Sequence, residues 1–140
     1  MSADTFVDTN ILIYAHDRDA GERHTRAREC IRGLWEAGGG ILSTQVLQEL
    51  YVNLTRKIPA PLSLAEAREL VADYLTWQVE VNPPESVLQA SRLQEQHRLS
   101  FWDALIVSAA VRAGARRLLS EDLNQGQVIE GVRIENPLMA

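Results

Sequence analysis

Five short runs rich in aliphatic residues, at Thr5 to Val7, Gly40 to Leu42, Val79 to Val81, Arg117 to Leu119 and Val132 to Ile134, are separated by helical patterns. That alternation suggests parallel βα units and places the chain in the α/β class. The helical patterns run from about His24 to Ala37, Val46 to Arg56, Leu64 to Tyr74, Glu85 to His97 and Phe101 to Ala113. Gly38-Gly39-Gly40, Pro59-Ala60-Pro61 and Pro83-Pro84 punctuate them. The triple glycine lacks the Lys-Ser/Thr of a phosphate-binding loop and reads as the end of the preceding helix. No internal repeat, low-complexity tract or interdomain linker interrupts the pattern. The 140 residues therefore suit a single domain over 1–140, long enough to bury a sizeable core.

Composition narrows the function. No apolar stretch approaches the roughly 20 residues of a membrane span, and the start lacks a secretory pattern, so a cytoplasmic location is expected. Cys30 is the only cysteine, which excludes an internal disulfide and a thiolate cluster and suits a small apolar helix residue. A net charge of −5 argues against broad nucleic-acid coating but leaves room for a small local site. Lys57 is the only lysine, and the arginine bias favours bidentate pairing with phosphate or carboxylate.

Four acids stand in informative places. Asp8-Thr9-Asn10 breaks the apolar run from Thr5 to Tyr14, where the chain is expected to leave its first strand. Strand ends of open α/β sheets are where sites form. Asp8 equally suits the N-cap of a turn over Ile11 to Ala15. Asp103 opens a very apolar helix, and Ser100-x-x-Asp103 matches a capping box. Asp122 follows the strand at Arg117 and reads as a turn former. Glu49 falls opposite the apolar stripe of Leu47, Leu50, Tyr51, Leu54 and Ile58, so periodicity makes it solvent-exposed.

Taken together, the segments carry a resemblance. Val7 to Tyr14, Gln48-Glu49-Leu50-Tyr51, Phe101-Trp102-Asp103-Ala104-Leu105-Ile106 and Leu119 to Gly126 resemble, in order and spacing, the motifs of PIN-domain proteins, specifically VapC-type toxin ribonucleases. Val132 to Pro137 resembles the family's last strand. The resemblance implies a three-layer α/β fold with a central parallel sheet flanked by helices. It also implies that Asp8, Glu49, Asp103 and Asp122 converge at the C-terminal edge of that sheet as catalytic and metal-binding residues.

Two carboxylates about 4 Å apart repel by roughly 4 kcal/mol at an effective dielectric near 20, so an ionised cluster needs protons or a cation. Oxygen ligands select Mg²⁺ or Mn²⁺, which activates water and stabilises charge on a phosphodiester. Asp8 and Asp103 are assigned as the most direct ligands, Glu49 and Asp122 as holders of water or a second ion, and Asn10 and Ser120 as orienting groups. The resemblance further implies an RNA substrate, a homodimer and a cognate antitoxin. Arg23, Arg26, Arg28 and Arg32 could supply positive charge, although a solvated helix face explains them as well. His16, His24 and His97 read as surface or capping residues, and Trp35, Trp77 and Trp102 as core or interface rather than base-stacking platforms. The alternatives are an RNA-processing nuclease outside a toxin–antitoxin pair, a partner-binding domain, and a receiver-like signalling domain. The last is disfavoured because Lys57 lies at a helix end.

Overall fold

The computed structural model describes residues 3–139, so the ends of the expected 1–140 span lie outside the described residues. Six strands, β1 (Thr5–Val7), β2 (Ile41–Ser43), β3 (Gln78–Glu80), β4 (Arg117–Leu119), β5 (Val128–Ile129) and β6 (Val132–Glu135), form one sheet in the order β3-β2-β1-β4-β6-β5. All pairings are parallel except that of β5 with β6. Six α-helices accompany them: α1 (Thr9–His16), α2 (Glu22–Glu36), α3 (Thr44–Arg56), α4 (Leu64–Tyr74), α5 (Ser86–His97) and α6 (Phe101–Arg112).

Every residue of β1 and β2 is buried. Successive side chains of a strand point to opposite faces, so both faces of the sheet centre are covered. The connectivity shows by what. The chain steps from β1 through α1 and α2 to β2, then through α3 and α4 to β3, and finally through α5 and α6 back across β1 to β4. Right-handed crossovers put helices of the first two steps on one face and those of the returning step on the other. The packing agrees, with α1 against α2 and α3, α3 against α4, and α5 against α6, which also meets β2 and β3. The expected three-layer α/β arrangement is therefore present.

One element departs from expectation, and the turn expected over Ile11 to Ala15 is part of a longer helix. The sheet is mixed rather than wholly parallel, because β5 folds back on β6 through Glu130 and Gly131, both at positive φ (50° and 83°). Two consecutive positive φ values make the tight hairpin turn that suits right-twisted strands, and a two-residue strand leaves almost no periodic signal. The run Ile11 to Tyr14 lies in a two-turn helix that begins at Thr9, immediately after the strand. Its apolar surroundings bury Ile11 and Leu12 completely.

The glycines before β2 do more than end α2. A Cβ on Gly40 would lie 2.9 Å from the Trp77 ring and 3.1 Å from the Thr5 carbonyl. Trp77 fills that slot and packs on Tyr74 and Trp35, with ring centres 5.1 and 5.0 Å away. At the other end, Arg112 joins α6 to β3 and α5, donating to Glu80 Oε2 at 3.1 Å, Asn82 Oδ1 at 2.8 Å and Gln89 Oε1 at 3.0 Å.

Leu118 lies fully buried at the centre of β4, whereas Leu75 is 58% exposed. Urea denaturation is expected to show a loss of about 2–5 kcal/mol for Leu118→Ala. Leu75→Ala should stay within about 0.5 kcal/mol of the parent.

Candidate active site

In the sheet order, strands are added outward from β1 in one direction to β2 and β3 and in the other to β4 and β6, so the order reverses between β1 and β4. Loops leaving the C-terminal ends of strands at such a reversal diverge and open a crevice. Val7 and Leu119 are paired at those two ends, and the Asp8 amide donates to the Leu119 carbonyl at 2.9 Å. Asp8 therefore begins the crevice.

Asp8 is the N-cap of α1, so the capping role expected of it is real. One carboxylate oxygen, Oδ1, accepts from the Thr9 amide at 2.7 Å. The other, Oδ2, accepts from the buried Ser120 hydroxyl at 2.8 Å. Ser120 also accepts from the Asp122 amide at 3.2 Å, which ties the loop after β4 to the end of β1. Asn10 Nδ2 donates to Asp122 Oδ2 at 2.8 Å across the same gap. Asn10 and Ser120 thus orient two acids directly.

Glu49 corrects its periodicity reading. It is half-buried, and its Oε1 accepts from the Thr9 hydroxyl at 2.7 Å. The face opposite the apolar stripe of α3 looks onto α1 rather than open solvent. Asp103 stands in the first turn of α6, where the Ser100 hydroxyl accepts from its amide at 3.1 Å. Among the described residues no hydrogen bond returns from its carboxylate to the Ser100 amide, so the capping box is half made and the acid is left for other work.

All four acids line one cleft of about 170 Å³, together with Thr9, Asn10, Ile13, Gln45, Asn53, Trp102 and Ile106. Thr9, Gln45, Asn53 and Trp102 were not among the expected site residues. Thr9 lies inside the Asp8-Thr9-Asn10 break, and Gln45 and Asn53 share the Glu49 face of α3, one helical spacing away on either side. Among the described residues no three His, Cys, Asp or Glu side chains form a ready-made metal cluster. Asp8, Glu49 and Asp122 instead accept from Thr9, Asn10 and Ser120.

The histidines stay outside this cleft, yet two are not surface groups. His16 is largely buried, with Nε2 2.8 Å from the Tyr74 hydroxyl, and burial with a minor contribution from His24 pushes its pKa down to about 4. His97 is half-buried. His24 Nδ1 lies 2.9 Å from the Tyr14 carbonyl. Trp77 is core as expected, but Trp102 is 63% exposed at the cleft edge.

Burial pushes the Asp8 pKa up to about 7; Ser120 and Thr9 oppose the rise, and the charges of Asp103 and Asp122 add to it. Burial also raises Asp103, with Asp122 contributing and Ser120's counterpart at this corner, Ser100, opposing. Folded Asp8 thus holds a proton between its ordinary 3.8 and about 7, where the unfolded chain has released it. Stability is lost as pH rises through that window, by on the order of 4 kcal/mol, and is level above it. In buffer free of divalent cations, the stability of wild type relative to Asp8→Asn should fall by that amount between pH 4 and pH 7. Parallel profiles for the two proteins would mean that Asp8 is ionised throughout.

Comparison with known proteins identifies the fold. No curated protein sequence matches the chain significantly. Among solved structures, a toxin–antitoxin complex from Klebsiella pneumoniae is similar at 19% identity and a TM-score of 0.66, covering 91% of this chain and 94% of the other. VapC20 of Mycobacterium tuberculosis, described as a sarcin-ricin loop cleaving toxin, gives 23% and 0.63 over 84% and 91%. DNA-bound VapBC from Salmonella typhimurium gives 16% and 0.63 over 98% and 99%. These likenesses establish the shared fold. The PIN domain family profile matches residues 5–130, and the chain belongs to that family.

Proposed function

We propose that this protein is a metal-dependent endoribonuclease and the toxin of a toxin–antitoxin pair, acting through Asp8, Glu49, Asp103 and Asp122 with Asn10 and Ser120 in support. One observation carries the reading. Four acids from four separate segments reach one cleft at the reversal point of the sheet, and one of them is buried. Burying a carboxylate is costly unless something specific compensates it, and such perturbed acids concentrate at functional sites. The likeness to a toxin described as cleaving the sarcin-ricin loop, and to toxin–antitoxin complexes, supports RNA as the substrate and an antitoxin as the partner.

The donors suit a hard divalent cation, Mg²⁺ or Mn²⁺, because the acids, amides and hydroxyl lining the cleft all offer oxygen and no residue there offers sulfur or imidazole. Asn10 Oδ1 and Gln45 Oε1 add two buried oxygens without a hydrogen-bond partner. Asp8 and Asp103 are the assigned ligands, with Glu49 and Asp122 beside them. A bound ion supplies the positive charge that lets these acids ionise together, activates water and stabilises charge on the phosphodiester.

The chain's own contribution is to hold the acids still. Ser120 and the Thr9 amide fix both oxygens of Asp8, the Thr9 hydroxyl fixes Glu49, and Asn10 fixes Asp122. Ile13 and Ile106 give the cleft apolar walls that exclude bulk water and strengthen charge interactions inside it. Water attacks phosphorus in line with the departing 3′-oxygen, which leaves a 5′-phosphate and a 3′-hydroxyl.

A homodimer and antitoxin contact belong to the same reading, and exposed Leu64, Leu75, Val87 and Leu88 supply apolar surface for them. Among the described residues no helix is long and apolar enough to cross a membrane. A cytoplasmic site of action accompanies the reading.

With Mg²⁺ or Mn²⁺ present, purified protein is expected to cut single-stranded RNA to 5′-phosphate ends. Excess chelator should abolish cleavage, and 2′,3′-cyclic ends or chelator-resistant activity would refute the assignment. Ser120→Ala and Asn10→Ala should lower activity about 10–100-fold, as loss of groups that orient metal ligands does. Asp8→Asn and Asp103→Asn should nearly abolish cleavage with unchanged far-ultraviolet circular dichroism; wild-type rates in both would reduce these acids to helix caps.

A further inference from the structure

We infer that the exposed indole of Trp102 is a stacking platform for a base of the RNA beside the cleaved phosphate. This rests on the ribonuclease reading above and assigns to it a residue that grips substrate rather than metal.

Three observations converge on it. First, Trp102 lines the same cleft as Asp8 and Asp103, yet 63% of it remains exposed, so it stands at the mouth rather than in the core. Second, the residue is anchored. It lies in the first turn of α6, its carbonyl accepts from Gln45 Nε2 of α3 at 3.4 Å, and Phe101 meets it edge-on with ring centres 5.2 Å apart and planes at 79°. Among the described residues Phe101 is the only aromatic ring packed against it, which leaves indole surface open. Third, the cleft of about 170 Å³ is smaller than the roughly 300–1,000 Å³ of pockets that enclose a drug-sized ligand. It accommodates a phosphate with its neutralising charge, while the attached bases stay outside.

Charge makes such a platform necessary. Protein affinity for nucleic acid usually comes from arginine and lysine on phosphates. No arginine or lysine lines this cleft, and Arg23, the cation beside the loop after β4, already pairs with Glu121 at 2.8 Å. Stacking needs no charge and tolerates any base, because every base presents a π-face. An aromatic plane at the mouth of an acidic slot holds the strand where its phosphate enters.

The test uses full-length protein, Mg²⁺ and a short single-stranded oligoribonucleotide spanning a mapped cut, together with versions carrying one abasic site on either side of it. Trp102→Ala is expected to lower kcat/KM by on the order of 10- to 100-fold, carried mainly by KM, while Trp102→Phe keeps most of the activity. One abasic substitution should cost the wild type a similar factor and cost Trp102→Ala almost nothing. Abasic penalties equal in both proteins would overturn the proposal, as would undiminished cleavage by Trp102→Ala accompanied by weakened antitoxin binding, which would make the indole a protein contact. Either result leaves the nuclease reading standing if wild type still cuts in a metal-dependent way; absence of any wild-type cleavage overturns both.

Discussion

The placement of the Asp8 carboxylate is the constraint on which the rest of the site depends. It stands where the strand order reverses, and both of its oxygens are held, one by the first amide of α1 and the other by Ser120 beyond β4. That pair of bonds fixes the start of α1 against the end of β4. Asn10 then reaches Asp122 and Thr9 reaches Glu49 because they sit on the helix that Asp8 starts. Three successive residues therefore address two different segments, the loop after β4 through Asp8 and Asn10 and helix α3 through Thr9, and the helix geometry that separates consecutive side chains by about 100° is what lets them do so. Losing the Asp8 anchor would loosen Glu49 and Asp122 together.

The same arrangement works against stability. Desolvation and two neighbouring acids oppose ionisation of Asp8, while hydroxyl and amide donors only partly offset them. A fold selected for stability alone would place an apolar residue in that position, since replacing a buried polar cluster with well-packed apolar groups is often neutral or favourable. The molecule instead spends its surplus elsewhere, in the buried strands β1, β2 and β4 and in the Arg112 network that ties α5 and α6 to the sheet edge. Rigidity around the cleft and instability within it are two consequences of one design.

Much of this was legible in the sequence, for reasons that differ residue by residue. Alternating short apolar runs and helical patterns identified the α/β sheet because local periodicity reports burial directly. A break in that periodicity placed Asp8 and Asp122 at strand ends, while the resemblance to PIN-domain proteins, not the periodicity, implied that they share a site. Glu49 was misplaced because periodicity describes a helix in isolation, and what covered its polar face was α1, contributed by residues 40 positions away. His16 looked like a surface group until Tyr74, 58 residues on, enclosed it. The β5 hairpin escaped notice because two residues carry no period, and Glu130 at positive φ is a choice that turn propensities disfavour. Of the two roles expected for Trp102, core or interface, its exposure excludes the core. Its neighbours in α6 are nearly all buried, yet at the first turn the helix projects its side chain past the end of the packed layer.

Charge connects the site to the whole molecule. A chain of net charge −5 that presents four acids in one cleft repels a polyanion, and by roughly 4 kcal/mol for unit charges about 4 Å apart at an effective dielectric of 20. On the proposed reading a divalent cation relieves two costs together, the mutual repulsion of the acids and their repulsion of RNA. On that reading cation binding and ionisation of Asp8 are linked, because the charged form of Asp8 that the metal requires is the form that burial disfavours. Affinity for the RNA strand beyond its central phosphate must come from groups that do not depend on charge, and at the rim of this cleft the large exposed group is an indole.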